Sequence, residues 1–255
     1  MKRFFKTIII TLIIMQVMTI AAFAEGTFSN WNDIENDMYH HFVNRDANFS
    51  FLYTGTKEEF QQNIRQAIKD AYSKDDYLER SWVELRPQGK VTTQGIETTI
   101  NATYLTTKEQ EDYVNNELIK ETAKVTNSGM SDFEKVKAIN DYIINRFEYD
   151  YTLQSKSAYS ALTTSVAICQ GYSMAAYKML NYAGIENRIV VGTARNISHS
   201  WNCVKIDGEW YNLDITNNDS IKKDKYFLVG DNFLLDNNYV WDRKSYPSAP
   251  KGYYE

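Results

Sequence analysis

Apolar residues recur at helical spacing along much of the chain. Phe60, Ile64, Ala67, Ile68 and Tyr72 form one stripe and predict an amphipathic helix over residues 57–72. Similar patterns predict helices over residues 32–43, 108–125 and 132–147, the last opened by a Ser131-Asp132-Phe133-Glu134 capping box. Residues 170–183 are rich in helix formers, place Met174, Tyr177 and Leu180 on one face, and stop at Gly184. Strand-like alternation appears at Phe49-Ser50-Phe51-Leu52-Tyr53. The Thr-, Ile- and Val-rich run 91–106, with a turn near Gln94-Gly95, predicts a hairpin.

A second hairpin is specified more tightly. Residues 198–206 and 209–215 flank Asp207-Gly208, a strong signal for a two-residue type I′ turn. That turn pairs Ile206 with Glu209, Val204 with Tyr211 and Trp201 with Asp214. Alternation puts His199, Trp201 and Cys203 on the same face as Trp210, Asn212 and Asp214. His199 and Asp214 are then diagonal neighbours, close enough for an imidazole–carboxylate hydrogen bond. Val204, Ile206, Tyr211, Leu213 and Ile215 form the opposite, core face.

Cys169 falls at the start of the helix that ends at Gly184. Unpaired N–H groups and the helix dipole favour a thiolate there and could hold an oxyanion. Cys169, His199 and Asp214 are therefore the parts of a nucleophilic cysteine site: attacking thiol, proton-carrying imidazole and orienting carboxylate. Each also has a plainer reading, as a buried hydrophobe, a structural histidine and a strand end. The agreement of all three favours the chemical one. Cys203 lies about 13 Å along the strand from His199 and reads as core. His40 and His41 read as surface residues without partners. Trp201 and Tyr172 read as cleft wall or core.

The residues Ala158-Tyr159-Ser160-Ala161-Leu162, Ile168-Cys169-Gln170-Gly171-Tyr172-Ser173, His199-Ser200-Trp201-Asn202 and Asp207 through Asp214 resemble the transglutaminase-like superfamily of papain-fold cysteine enzymes, in particular its secreted bacterial members. Tyr226-Phe227-Leu228-Val229 and Tyr246-Pro247 extend the resemblance over residues 106–255. It implies an α+β, papain-like core in which the Cys-bearing helix packs on an antiparallel sheet. It also implies Cys169 as nucleophile, His199 as base and Asp214 as orienter. Tyr159, Gln170, Tyr172 and Trp201 become candidates for the substrate cleft, Tyr159 near the oxyanion. Thr164-Ser165 stands where the family often has Gly or Lys-Gly, and Ile215-Thr216 where it often has Pro-Thr.

The N-terminus adds a location. Met1 to Lys6 is basic, Ile8 to Ile20 mostly apolar, and Ala22-Phe23-Ala24 a small-x-small site, so residues 1–24 read as a signal peptide. An uncleaved anchor is the alternative, but the apolar stretch is short and interrupted by Gln16. Residues 25–105 form a smaller α+β region with no nameable chemistry, and 106–255 the catalytic domain. Losing Lys2, Arg3 and Lys6 takes the net charge from −5 to −8, which argues against nucleic acid and anionic membranes as partners. If Cys169 meets His199, Cys203 is too distant to bridge it, so no disulfide is expected. No zinc spacing, EF-hand loop or phosphate loop occurs, and neither metal nor cofactor is expected. The expectation is a secreted enzyme acting on a protein or peptide, with the cell wall or surface as one setting, through a thioester on Cys169. It performs acyl transfer or amide hydrolysis. The alternatives are a cysteine peptidase and a non-catalytic binding or adhesion module.

Overall fold

A type I′ turn needs positive φ at both central residues, and Asp207 (52°) and Gly208 supply it (87°). On either side, β9 (Ile197–Ile206) and β10 (Glu209–Leu213) pair antiparallel with Ile206 opposite Glu209 and Val204 opposite Tyr211, the expected register. The computed structural model describes residues 11–12 and 26–254. The proposed signal peptide, apart from Thr11–Leu12, lies outside the described residues.

The chain forms two compact units, residues 1–108 and 109–255, where the sequence reading divided it after 105. The first is built on a five-stranded sheet of order β1-β4-β5-β3-β2, from β1 (Thr11–Leu12), β2 (Gly26–Phe28), β3 (Asn48–Tyr53), β4 (Trp82–Val91) and β5 (Ile96–Tyr104). Two amphipathic helices, α1 (Trp31–Asn44) and α2 (Lys57–Ser73), bury Ile34, Met38 and Phe42, and Phe60, Ile64 and Ile68, against Phe49, Phe51 and Tyr53 of β3. The short α3 (Asp76–Ser81) leads into β4. The expected hairpin turns at Thr92–Gly95, but its first arm is the earlier run Trp82–Val91. Glu84, Arg86, Pro87 and Lys90 obscured that arm, because they occupy its outward or edge positions. His41 also departs from expectation. It is half-buried, stacks on Phe49 with ring centroids 4.3 Å apart, and its Nδ1 lies 2.7 Å from Asp46 Oδ2.

The second unit begins with α4 (Lys108–Val125) and α5 (Asp132–Arg146), the latter opened by the predicted Ser131/Glu134 capping box. Next come β6 (Glu148–Tyr149), α6 (Ala158–Thr164), β7 (Val166–Ala167) and α7 (Cys169–Tyr182). A four-stranded antiparallel sheet follows, of order β10-β9-β8-β11, adding β8 (Asn187–Ala194) and β11 (Tyr239–Trp241). Helix α7 packs on β8 and β9, so the expected α+β arrangement holds: a Cys-bearing helix on an antiparallel sheet. The other sheet face is covered too, with Val190, Trp201, Cys203, Tyr226, Leu234 and Tyr239 sharing one core. Both faces of β9 are therefore interior from Ser200 to Val204.

The edge strand β11 approaches β8 closely because Gly192 faces Trp241. A Cβ at Gly192 would lie 2.3 Å from the Val240 carbonyl oxygen, a contact only backbone movement could relieve. Gly192→Ala should therefore lower stability by about 1–3 kcal/mol, the usual cost of overpacking. A thermal melt of the two proteins checks it, and an unchanged midpoint would show that β11 shifts freely.

Candidate functional site

Cys169 is the first residue of α7, and its neighbour Ile168 is the N-cap. The Ile168 amide is tied to the Ser155 carbonyl at 2.9 Å, and Asp150 to Ala167 at 2.9 Å, so the chain reaches the helix by a fixed route. Asp150 holds that route. Its carboxylate accepts the Thr152 amide and hydroxyl (2.8 and 2.6 Å) and the Gln154 and Ser155 amides (3.0 and 2.8 Å). These bonds keep the Asp150 carboxyl well below the ordinary carboxylate range. Gly171 lets the preceding segment close in beneath the helix start, since a Cβ there would meet Ala167 Cβ at 2.8 Å and the Ser157 carbonyl at 3.1 Å.

The His199 ring and Ser200 act on the Cys169 thiol and favour its charged form. His199 Nε2 lies 2.7 Å from Asp214 Oδ2, which leaves Nδ1 as the ring nitrogen available to the thiol. The three residues selected from sequence are thus brought together in one chain of contacts. Asp214 departs from expectation in one respect: β10 ends at Leu213, so the paired arm does not reach Asp214 or Ile215. Asp214 instead caps α8 (Ile215–Ile221), its Oδ1 accepting the Asn217 amide at 2.9 Å. Its backbone amide bonds the Tyr226 carbonyl at 3.0 Å, which draws it off the sheet.

Asp214 is fully buried, yet it is surrounded by donors. Tyr239 donates its hydroxyl to Oδ2 at 2.5 Å and the Asn217 side-chain amide donates at 2.8 Å. Burial alone would favour the neutral acid, but His199, Tyr239 and the Asn217 amide outweigh it and hold the carboxyl below its ordinary value. Burial likewise opposes a charged His199, but Asp214 and the Cys169 sulfur raise it to about 10. For Cys169, burial pushes the thiol up, and the His199 bond and charge and the Ser200 amide bring it down below the usual range. All three directions favour the charge-separated form, thiolate beside imidazolium beside carboxylate, over the neutral one.

A cleft of about 190 Å³ opens beside His199. Its walls come from Tyr149 and Tyr151 ahead of the cysteine, Arg195 and Ser198 around the β8–β9 turn, and Thr216 and Asn217 of α8. The four proposed cleft residues lie elsewhere. Trp201 is 1% exposed and sits under the site, its ring stacked on His199 at 6.0 Å and its Nε1 donating to Asn212 at 3.0 Å. Tyr172 is also 1% exposed and donates to Asp219 at 2.8 Å. Gln170 is half-buried beside Met174, and Tyr159 packs edge-on to Tyr113 at 5.7 Å. Both Trp201 and Tyr172 are large rings on elements covered on both sides, so the core takes them. The sequence reading missed Tyr239, Asn217 and Arg195. The only local signal was the spacing of Asn217 from Asp214, the same offset as in a capping box.

Cys169 and Cys203 are not joined by a disulfide, and Cys203 is buried in the core with Trp201 and Tyr239. Among the described residues no cluster of His, Cys, Asp or Glu could hold a metal ion.

Residues 119–215 match the profile of the transglutaminase-like superfamily, a stretch that includes Cys169, His199 and Asp214. No curated protein matches the chain. Similar solved structures include a TGase, 17% identical over 75% of this chain and 58% of that one, with a TM-score of 0.35. Another is a candidate cysteine protease from Cytophaga hutchinsonii, 16% identical over 53% and 64% of the two chains, TM-score 0.36. A third is a candidate protease from Parabacteroides distasonis, 11% identical over 51% and 36%, TM-score 0.33. The chain thus spans less than two thirds of the length of each of these structures.

Proposed function

From the premise that residues 119–215 are a transglutaminase-like core, we propose that this protein is an exported cysteine enzyme that cleaves or transfers acyl groups of amides. The observation that carries this reading is the polar chain itself: Cys169 at a helix start against one face of His199, and buried Asp214 at 2.7 Å on the other. A purely structural role gives no reason to keep a fully buried carboxylate, a histidine and a cysteine in one charge-separated line.

The chemistry runs in two halves. The Cys169 thiolate attacks an amide carbonyl, and the first-turn N–H groups of α7 face the developing oxyanion. As the C–N bond breaks, His199 gives its proton to the leaving amine and a thioester remains on Cys169. An incoming amine or water then loses a proton to His199, attacks the thioester carbonyl, and releases the thiolate. Asp214 keeps the imidazole oriented throughout and stabilises its charged form. The proposed substrate is a protein or peptide outside the cell, at the wall or surface.

Incubation with a mixed peptide substrate and a labelled primary amine tests this. Mass spectrometry should find amine joined to glutamine side chains, glutamate formed by deamidation, or shortened peptides from a peptidase. Each should vanish in Cys169→Ala. If wild type yields none of the three, the enzyme reading fails and the protein is better read as a binding module.

A further inference from the structure

Arg195 carries a feature that the reaction scheme does not use. It occupies the two-residue turn between β8 and β9, where Arg195 and Asn196 both take positive φ (51° and 66°). The turn sends its side chain into the wall of the cleft beside His199. There its guanidinium donates to Asn217 Oδ1 at 2.8 Å. Asn217 in turn donates to Asp214 and lies 3.4 Å from His199 Nε2. The cation is therefore tethered to the catalytic line rather than free to swing in solvent.

We propose that Arg195 is a specificity-determining residue that binds a carboxylate on the substrate. This rests on the reading of Cys169 as nucleophile. Three observations converge on it. Apart from His199, Arg195 is the only ionisable basic residue among those lining the cleft, and no Asp or Glu lines it. A guanidinium has five N–H donors in a planar fork. The bond to Asn217 takes one, and among the described residues Arg195 makes no ion pair with an acidic side chain. The fork is thus prepared for a bidentate acceptor, the geometry that carboxylates fit. The rest of the lining suits the same ligand: Ser198, Thr216 and Ser220 add hydroxyls, and Tyr151, 86% exposed, offers a ring face for the substrate's apolar part.

The whole chain carries a net charge of −5, so its general field repels anions. A carboxylate preference at this site must therefore come from a local cation. The substrate class is an acyl donor with an acidic side chain or a free C-terminal carboxylate a few bonds from the scissile amide.

The test uses chloroacetyl-capped probes on the full-length chain as expressed. The Cys169 thiolate forms a C–S bond to the methylene carbon and chloride leaves with the electron pair of the C–Cl bond. Chloroacetyl-glycine, chloroacetyl-β-alanine and chloroacetyl-γ-aminobutyrate are each paired with their primary amides. The ratio of acid to amide labelling rates at Cys169, read by intact mass, is the quantity measured. Any change in thiol reactivity enters both rates and cancels. Wild type should favour the acid by about tenfold for at least one spacer, the worth of one charge-assisted hydrogen bond. Arg195→Gln should abolish that preference, Arg195→Lys should retain part of it, and Arg195→Glu should reverse it. An acid-to-amide ratio at or below one for every spacer, with Cys169 still labelled, overturns the carboxylate site and leaves the nucleophile standing. A preference that survives Arg195→Gln assigns it to another group and also overturns the proposal. Failure of every probe to label Cys169 overturns the nucleophile reading, and this proposal with it.

Discussion

Alkylation of the native protein at neutral pH should modify Cys169 and spare Cys203. An ordinary thiol with a pKa near 8.5 is only about 3% ionised at pH 7, so full ionisation offers up to about thirtyfold in rate. Cys203 adds the opposite handicap of being 1% exposed inside an aromatic core. His199→Ala removes the bond and the charge that bring the Cys169 thiol down, and burial then pushes it up. Most of the rate advantage should go with it. The pH dependence follows from the same groups. The reactive pair exists from below the usual thiol range up to about pH 10, where His199 loses its proton. Turnover, which needs the imidazolium as acid, should fall above that point. Because the folded histidine lies above its unfolded value of 6.5, its stabilisation is full below about pH 6.5 and is lost as pH rises through about 10. Equal labelling of both cysteines, indifferent to His199→Ala, would contradict the activated thiol.

Asp214→Ala should damage both stability and turnover. It leaves the Tyr239 hydroxyl, the Asn217 amide and side chain, and a buried His199 without their acceptor. Breaking a buried pair in this way typically costs about 3–5 kcal/mol of stability. Loss of the orienting carboxylate in a triad costs on the order of 10⁴ in kcat. Tyr239→Phe isolates one part of that network. It should lower stability by about 1–2 kcal/mol and turnover by about tenfold, the value of one hydrogen bond to a charged group. Chemical denaturation and single-turnover kinetics on the two variants separate the effects. Full activity in Asp214→Ala would show that His199 is oriented by something else.

The uneven legibility of this site has a physical cause. Cys169, His199 and Asp214 sit next to strong local signals: a helix stop at Gly184, a type I′ turn at Asp207-Gly208, and a strand alternating between them. The placing of Cys169 at a helix start and of His199 on its strand follows from such signals, whereas Asp214 takes its final position from the Tyr226 carbonyl. Tyr239 has no such neighbourhood. It belongs to the three-residue edge strand β11, and it meets Asp214 only because β11 closes the sheet beside β8. That placement is set by tertiary packing, and no period along the chain encodes it. Helix α8 was hidden by its own composition, since Thr216, Asn217, Asn218 and Asp219 are poor helix formers. Strand β8 went unread although Ile189, Val190 and Val191 are β-formers, because its turn uses Arg195-Asn196 instead of a glycine pair. Ser165 at φ 64° explains one departure from the family pattern: it fills a left-handed helix-end position where the family often has glycine. Ile215, the other departure, stands where the family often has proline and is buried as the first residue of α8, next to Thr216 of the cleft wall.

The carboxylate of Asp214 serves two masters, accepting the Asn217 amide with Oδ1 and the His199 ring with Oδ2. The Asn217 N–H can exchange with deuterated solvent only when that cap opens, and opening the cap also frees the group that orients the histidine. Its exchange rate is thus a built-in gauge of how often the resting protein opens the contact between Asp214 and His199. It can be read in the absence of any substrate. Ligands that tighten the site should slow exchange at this one amide, so the gauge can rank compounds without an activity assay.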